Sequence, residues 1–392
     1  MTDKRERRLI RLFGDFMRSE RAGAALLIAC TLASLLIANS ALGPKYLSFW
    51  HKDLGPLSIE LWVNDALMAI FFLLVGLELE REILVGKLSN IKSALLPIFA
   101  ALGGVIVPAS IHFIFNHGHE TQSGVGIPMA TDIAFAIGAL ALLGSRASSS
   151  LKVFLVALAV IDDLVAILVI AIFYTTKLSI PFLLLALGIA AVLFALNFAF
   201  RVRSLWPYLI GGFFMWWAML LSGVHATIAG VILAFTIPFF SNNEDEVSLS
   251  EKLEHWLHAP VAFFILPIFA LANTGLVIES NWAADLASPN SLGIGLGLII
   301  GKPLGIFIAS YLAVALGICT LPKGLGWRQV LGIGMLGGIG FTMSIFITNL
   351  AFTGRQSLID ESKLAIFLAS LAAAILGLVY LYIFSPKSES RT

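Results

Sequence analysis

Long apolar stretches recur along almost the whole of this 392-residue chain, and they constrain its fold more than any other feature. About 20 apolar residues in a helix are enough to cross the roughly 30 Å hydrocarbon core of a bilayer. Hydrophobic residues make up 59% of the chain and charged residues 12%, with a mean hydropathy of +0.94, which excludes a soluble globular protein of this length. The sequence therefore predicts an all-α, multi-pass membrane protein.

Twelve transmembrane spans are predicted within a single transporter domain that covers residues 1–392. An amphipathic helix at about 8–20, with apolar residues on one face and arginines on the other, is predicted to lie at the membrane surface before the first span. The spans lie near 22–40, 59–79, 93–115, 124–144, 151–174, 179–200, 205–221, 223–240, 258–278, 291–317, 328–352 and 363–384.

The distribution of Lys and Arg among the loops predicts the orientation in the membrane. Nineteen of the 25 basic residues fall on the side of the N-terminus, and Lys302 lies within a span. The loop at 241–256 is acidic, but acidic residues count little in this rule. Both termini are therefore predicted to be cytoplasmic, in a bacterial inner membrane, and nothing in the charge pattern suggests a nucleic-acid partner. The five basic residues on the opposite side are Lys45, Lys52, Lys177, Arg355 and Lys363.

The fourth and eleventh spans contain residues that weaken a continuous helix. Pro128 lies within the fourth span, and five glycines from Gly332 to Gly340 lie within the eleventh. A Thr-x-x-x-Phe step recurs in both spans, beginning at Thr131 and at Thr342. Close packing of glycine-rich helices is one interpretation. The position of these spans in the two halves favours inverted-topology repeats with two interrupted, crossing helices that line a site.

Ionisable residues within the apolar spans are the candidate functional groups. Asp162 and Asp163 are adjacent in a run with no other polar side chain, and Asp162 lies about 15 Å from the membrane edge if the span begins at Lys152. Charges at that depth are costly and usually functional. Because adjacent helix positions point about 100° apart, one carboxylate can bind a cation while the other meets a base, for which Lys302 is the candidate. Asp132 is the third candidate acid.

These residue types indicate exchange of cations for protons. The carboxylates of Asp162 and Asp163 and the Thr131 hydroxyl offer the hard oxygen ligands that suit sodium or lithium, and protons compete for the same carboxylates. A site that opens alternately to each side and does not cross empty couples the two gradients. The transported sodium ion and protons are therefore the predicted substrates, and no cofactor is predicted.

Two other classes of protein also use acids within the membrane. An intramembrane aspartyl protease needs two aspartates that face each other from different helices and share a proton, whereas Asp162 and Asp163 are neighbours on one helix. A cation channel needs no alternating access, and its sodium flux would not depend on a proton gradient. Both alternatives fit the sequence less well than a transporter that is not an enzyme.

Several motifs together resemble the NhaA-type sodium/proton antiporter family over nearly the whole chain. The matching segments are Trp62–Glu78, Ala130–Phe135, Ile161–Asp163, Ser222–Thr227, Gly301–Gly305 and Gly338–Phe346. The resemblance implies an electrogenic antiporter that is regulated by pH and forms a homodimer among membrane lipids.

The resemblance also implies roles for individual residues. Asp163 and Asp162 would form the ion site, Thr131 and Asp132 would lie where the interrupted helices cross, and Lys302 would balance their exposed carbonyl ends. Glu80 departs from the family pattern, where a basic residue is common, so the activation pH of this chain is open. The residues implied in the pH response are Glu78, Glu82, His225, Glu254, His255 and His258.

Overall fold

The computed structural model describes residues 22–86, 89, 91–174, 178–239, 247–278, 282–322 and 324–385, with only the backbone of 91–93. The predicted amphipathic helix at 8–20 lies outside this part of the chain. The helices are α1 Ala22–Ala38, α2 Gly43–Trp50, α3 Ile59–Leu84, α4 Ile91–Asn116, a 3-10 helix Glu120–Met129, α5 Ile133–Leu142, α6 Ser149–Phe173, α7 Ile180–Phe198, α8 Trp206–Ser222, α9 Ile228–Thr236, α10 Leu249–Asn273, α11 Trp282–Leu286, α12 Pro289–Ala315, α13 Trp327–Gly337, α14 Phe341–Ala351 and α15 Gln356–Phe384. A hairpin of two short antiparallel strands, β1 Asp53–Leu54 and β2 Leu57–Ser58, precedes α3.

The helices confirm an all-α, multi-pass membrane protein. Among the described residues, seven continuous helices are long and apolar enough to cross a bilayer, and three bent pairs satisfy the same criteria together. The predicted seventh and eighth spans contain the shorter helices α8 and α9, so that each of the twelve predicted segments contains a helix. Two of the bent pairs are the predicted interrupted spans, which bend by 44° between the 3-10 helix and α5 and by 47° between α13 and α14.

One sequence-based boundary was wrong. The segment 249–256, predicted to belong to a loop, forms the first turns of α10, where Ser248 and Glu251 make a reciprocal capping box. Lys363, predicted to lie outside the membrane, is in the second turn of α15 and only 5% exposed. The loop at 249–256 was predicted wrongly because polar end turns continue a helix beyond its apolar stretch.

Small residues bring the helices around the interrupted spans into one bundle. The Gly103 backbone of α4 touches the Gly305 backbone of α12, and Gly334 of α13 packs on Pro303. Such close backbone approaches between membrane helices depend on residues that lack a side chain. We call this group the first bundle; it consists of α4, the 3-10 helix, α5, α6 and α12–α15.

A second bundle consists of α1, α3 and α7–α10. Gly230 of α9 lies directly on the Ala69 backbone of α3, and Gly212 of α8 packs on Leu233. Phe72 of α3 and Phe269 of α10 pack with the buried residues of the first bundle. These two aromatic side chains therefore lie in the seam between the bundles.

The contact between α4 and α12 yields a test of the packing. A Cβ atom on Gly305 would overlap the Gly103 carbonyl oxygen, whereas one on Gly295 of the same helix would meet nothing within 4 Å. Gly305→Ala should lower the free energy of unfolding by about 1–3 kcal/mol through overpacking. Gly295→Ala should be neutral or stabilise by up to about 1 kcal/mol. Thermal unfolding in detergent compares the two variants, and equal melting temperatures would contradict the close approach.

Candidate ion site at the crossing of the interrupted helices

The two interrupted spans contact each other through their non-helical residues. The Thr131 hydroxyl donates to the Gly337 carbonyl at 2.8 Å, and the Asp132 backbone N–H donates to the Ile339 carbonyl at 2.6 Å. Each broken segment therefore satisfies backbone groups that the other has left without helical partners, which a membrane interior requires. This reciprocal contact is the arrangement expected of two interrupted helices from inverted repeats.

Asp132 lies at two helix N-termini. Its Oδ1 accepts a hydrogen bond from the Phe135 backbone N–H at 3.1 Å and so caps α5, while its Oδ2 accepts from the Thr342 backbone N–H at 3.0 Å at the start of α14. The Thr342 hydroxyl also donates to Oδ2. Because helix N-termini carry partial positive charge, one buried carboxylate compensates both ends.

Lys302 also lies at the crossing of the interrupted spans, close to Gly337, and is 0% exposed. Its Nζ donates to Asp162 Oδ2 at 2.7 Å and to the Met129 carbonyl, which ends the 3-10 helix. A π-helical turn, Gly297–Gly301, directly precedes Lys302 and changes the register of α12 at this point. The ammonium group therefore compensates one carboxylate and one carbonyl end of the interrupted fourth span.

Asp163 is 1% exposed, and neither of its carboxylate oxygens has a hydrogen-bond partner among the described residues. The second oxygen of Asp162 also accepts no bond of ordinary geometry, and Thr131 lies near this carboxylate. A buried carboxylate without a donor is costly, so these oxygens need a cation or a proton. The arrangement can bind either of these, but not both at the same oxygens.

Four residues form a charged cluster where α3 and α10 meet. Arg81 lies 3.3 Å from Glu254, and His258 Nε2 lies 3.5 Å from Glu78 and 3.7 Å from Glu254. The structure thus brings together three of the residues that the family resemblance implicates in the pH response. Glu82 is at the edge of this cluster, 3.9 Å from Arg81.

The other residues implicated in the pH response lie elsewhere. His255 is exposed on α10. His225 lies between α8 and α9, at the opposite end of the helices, where its Nε2 is 2.9 Å from the Tyr174 carbonyl. Glu80, the departure from the family pattern, is buried and accepts a hydrogen bond from Ser250 at 2.8 Å.

Thr342 and the Met129 carbonyl contact site residues, but sequence reasoning did not select them. The recurrent Thr-x-x-x-Phe step was the one available signal for Thr342, since it places this residue and Thr131 at equivalent points of the two interrupted spans. A backbone carbonyl has no sequence signal of its own. The Met129 carbonyl is available to Lys302 because the 3-10 helix ends at this residue, and the structure was needed to locate that end.

The chain is similar to known proteins along almost its whole length. Residues 14–381 match the family model described as Na+/H+ antiporter 1. The Na(+)/H(+) antiporter NhaA of Dechloromonas aromatica is 62% identical, and the match covers 97% of this chain and 98% of the relative. The Na(+)/H(+) antiporter NhaA of Cytophaga hutchinsonii is 59% identical over 95% of this chain and 96% of the relative. The Na(+)/H(+) antiporter NhaA 2 of Pseudomonas syringae pv. syringae is 50% identical over 95% of this chain and 95% of the relative. The chain therefore belongs to the Na+/H+ antiporter 1 family.

Proposed function

We propose that this protein extrudes sodium, and also lithium, from a bacterial cell in exchange for external protons. The observation that carries the proposal is the buried, unpartnered Asp163 carboxylate beside the Asp162–Lys302 pair, at the crossing of two interrupted helices. Its relatives are named as antiporters, which are transporters and not enzymes. The sodium ion and the protons are substrates of one site.

The unequal surroundings of the two aspartates suggest how the site works. Asp163, which lacks a donor, binds the cation first, together with the free oxygen of Asp162 and the Thr131 hydroxyl. Sodium must displace protons from these oxygens, so the two substrates exclude each other. When the site is exposed to one side at a time, this exclusion gives coupled exchange.

The charged cluster of Glu78, Arg81, Glu254 and His258 supports regulation by pH. Histidine is the side chain that titrates nearest to neutrality, and in this cluster it faces two carboxylates. A change in its charge alters the attraction between α3 and α10, and α3 borders the ion site. We also propose that the protein lies in the inner membrane with both termini in the cytoplasm, and that it forms a homodimer. The distribution of basic residues supports the orientation, and the family resemblance supports the membrane and the dimer.

Asp163→Asn tests the site directly. The amide keeps the size of the side chain but removes the charge, so sodium should no longer release the proton gradient of everted vesicles, while the amount of protein in the membrane stays normal. Asp53→Asn, in the exposed hairpin, is the matched control and should exchange normally. Potassium should have no effect on the parent protein. Sodium-dependent proton release by Asp163→Asn at the parent rate would sink the assignment.

Lys302→Ala should lower stability and shift the pH dependence of transport. Removing one partner of a buried ion pair leaves the other charge uncompensated, at a cost of about 3–5 kcal/mol. Lys302→Arg keeps the positive charge beside Asp162 and should preserve most of the stability. Unfolding in detergent measures the first effect, and transport at stepped pH measures the second. A melting temperature of Lys302→Ala equal to that of the parent would argue against the pairing.

The transport cycle should be electrogenic. Two protons on the two carboxylates add two positive charges to the site, whereas one sodium ion adds one, so the two half-cycles differ by one charge while Lys302 keeps its own charge. Moving that charge across 100 mV is worth about 2.3 kcal/mol. In proteoliposomes, a potassium diffusion potential set by valinomycin should change sodium efflux in the direction of the voltage. Efflux that ignores the voltage, while coupling to the pH gradient persists, would indicate one-for-one exchange.

A further inference from the structure

Three asparagines form a hydrogen-bonded chain that runs from one bundle to the other. Asn273 Nδ2 donates to Asn64 Oδ1 at 2.8 Å, and Asn349 Nδ2 donates to Asn273 Oδ1 at 2.6 Å. Asn64 and Asn273 belong to α3 and α10 of the second bundle, whereas Asn349 belongs to α14 of the first. The bond between Asn349 and Asn273 therefore joins the two bundles.

The Phe269 carbonyl fixes the direction of this chain. It accepts a hydrogen bond at 3.0 Å from Asn273 Nδ2, so the Asn273 side-chain oxygen must face Asn349. Asn349 must therefore donate its NH₂ group to this oxygen. The side-chain oxygen of Asn349 is left buried with no partner among the described residues. The contact is directional, and the unsatisfied oxygen limits how strongly it holds the bundles together.

Aromatic side chains close the seam between these asparagines and the ion site. Phe346, one turn before Asn349 on α14, lies 5.6 Å from Phe72 and 6.4 Å from Phe269, measured between ring centroids. Phe346 is 1% exposed and comes from the first bundle, whereas its two partners come from the second. An ion that left Asp163 in this direction would have to pass this apolar contact and then the asparagines.

The polar contacts differ between the two ends of the seam. Asn64 is near the start of α3, whereas Asn273 and Asn349 are near the ends of α10 and α14. All three asparagines therefore lie at the same end of the seam, which is the outer end in the proposed orientation. At the inner end, the charged cluster of Glu78 and His258 joins α3 to α10, which are both in the second bundle. Two side-chain hydrogen bonds thus join the bundles at the outer end, one from Asn349 to Asn273 and one between His225 and the Tyr174 carbonyl.

We propose that Asn349 and Asn273 form a latch that holds the two bundles together at the outer end and breaks each time the ion site opens outward. The proposal rests on the proposed exchange function, because a site that never opened outward would need no such release. A hydrogen bond between membrane helices is weak enough to break in every cycle. Asn64 orients the latch from within the second bundle.

A reversible cross-link tests the latch. In a background with Cys30→Ala and Cys319→Ala, the pair Asn273→Cys and Asn349→Cys is joined in proteoliposomes by a short bis-methanethiosulfonate reagent, and the linkage is verified by mass spectrometry. Sodium/proton exchange should fall to the level of empty liposomes and return on addition of reductant. The control pair Asn64→Cys and Asn273→Cys lies within the second bundle, so its activity should be the same before and after linking. Normal exchange by the linked Asn273/Asn349 pair would overturn the latch.

A second variant tests the latch without cysteines. Asn349→Ala removes the bond, so the outward-open state should be more populated and the apparent KM for sodium at the outer face should fall by about threefold, the effect of one hydrogen bond in a membrane. The KM at the inner face should rise. Thr348→Val, which removes a 2.8 Å bond within α14, should leave the ratio of the two KM values unchanged.

An unchanged KM ratio in Asn349→Ala would also count against the latch. A purely structural role would lower the yield or stability of Asn349→Ala without a difference between the two faces. Exchange by the parent protein is measured before any substitution is made, so a failure of the proposed function is seen separately from a failure of the latch.

Discussion

The compensation of charge in a medium without water is the constraint on which this structure depends. Two interrupted helices expose partial charges near the middle of the membrane, where each unsatisfied group is costly. Asp132 lies at the two positive ends, and Lys302 lies at a negative end while it holds Asp162. These two side chains make the broken helices tolerable, and they link α12, α6 and both interrupted spans into one unit. Asp163 takes no part in these contacts, which leaves its carboxylate for the ion in the proposed function.

The sequence predicted the components of the site better than their contacts. Asp162, Asp163 and Lys302 stood out because charges are rare in apolar runs, and Pro128 marked one break. The hydrogen bonds from Thr342 to Asp132 and from Lys302 to the Met129 carbonyl join residues far apart in sequence, which a hydropathy pattern does not encode. The same pattern placed 249–256 in a loop, because α10 extends beyond its apolar residues. The functional roles assigned to the site residues remain predictions.

The difference between the two adjacent aspartates follows from helix geometry. Their side chains point about 100° apart, so the two carboxylates do not face Lys302 equally, and Lys302 bonds Asp162 while Asp163 has no partner among the described residues. A carboxylate with two unpartnered oxygens lowers the stability of the protein, as functional groups commonly do. If Asp163 were fully hydrogen-bonded, a sodium ion would have to replace those bonds as well as its own water. The unsatisfied carboxylate thus gives binding energy to whichever cation arrives.

The same carboxylate explains why the site should not cross the membrane empty. In the proposed cycle, an unneutralised Asp163 would have to move past the apolar side chains of Phe72 and Phe269 in the second bundle, and a bare charge in such surroundings is strongly disfavoured. Sodium or a proton removes most of that penalty. Coupling then needs no separate device that senses occupancy, because the barrier is low only for a loaded site. In the proposed cycle, the weak hydrogen bond of Asn349 at the outer end adds a release step, and neutralisation of Asp163 determines when the bundles can rearrange.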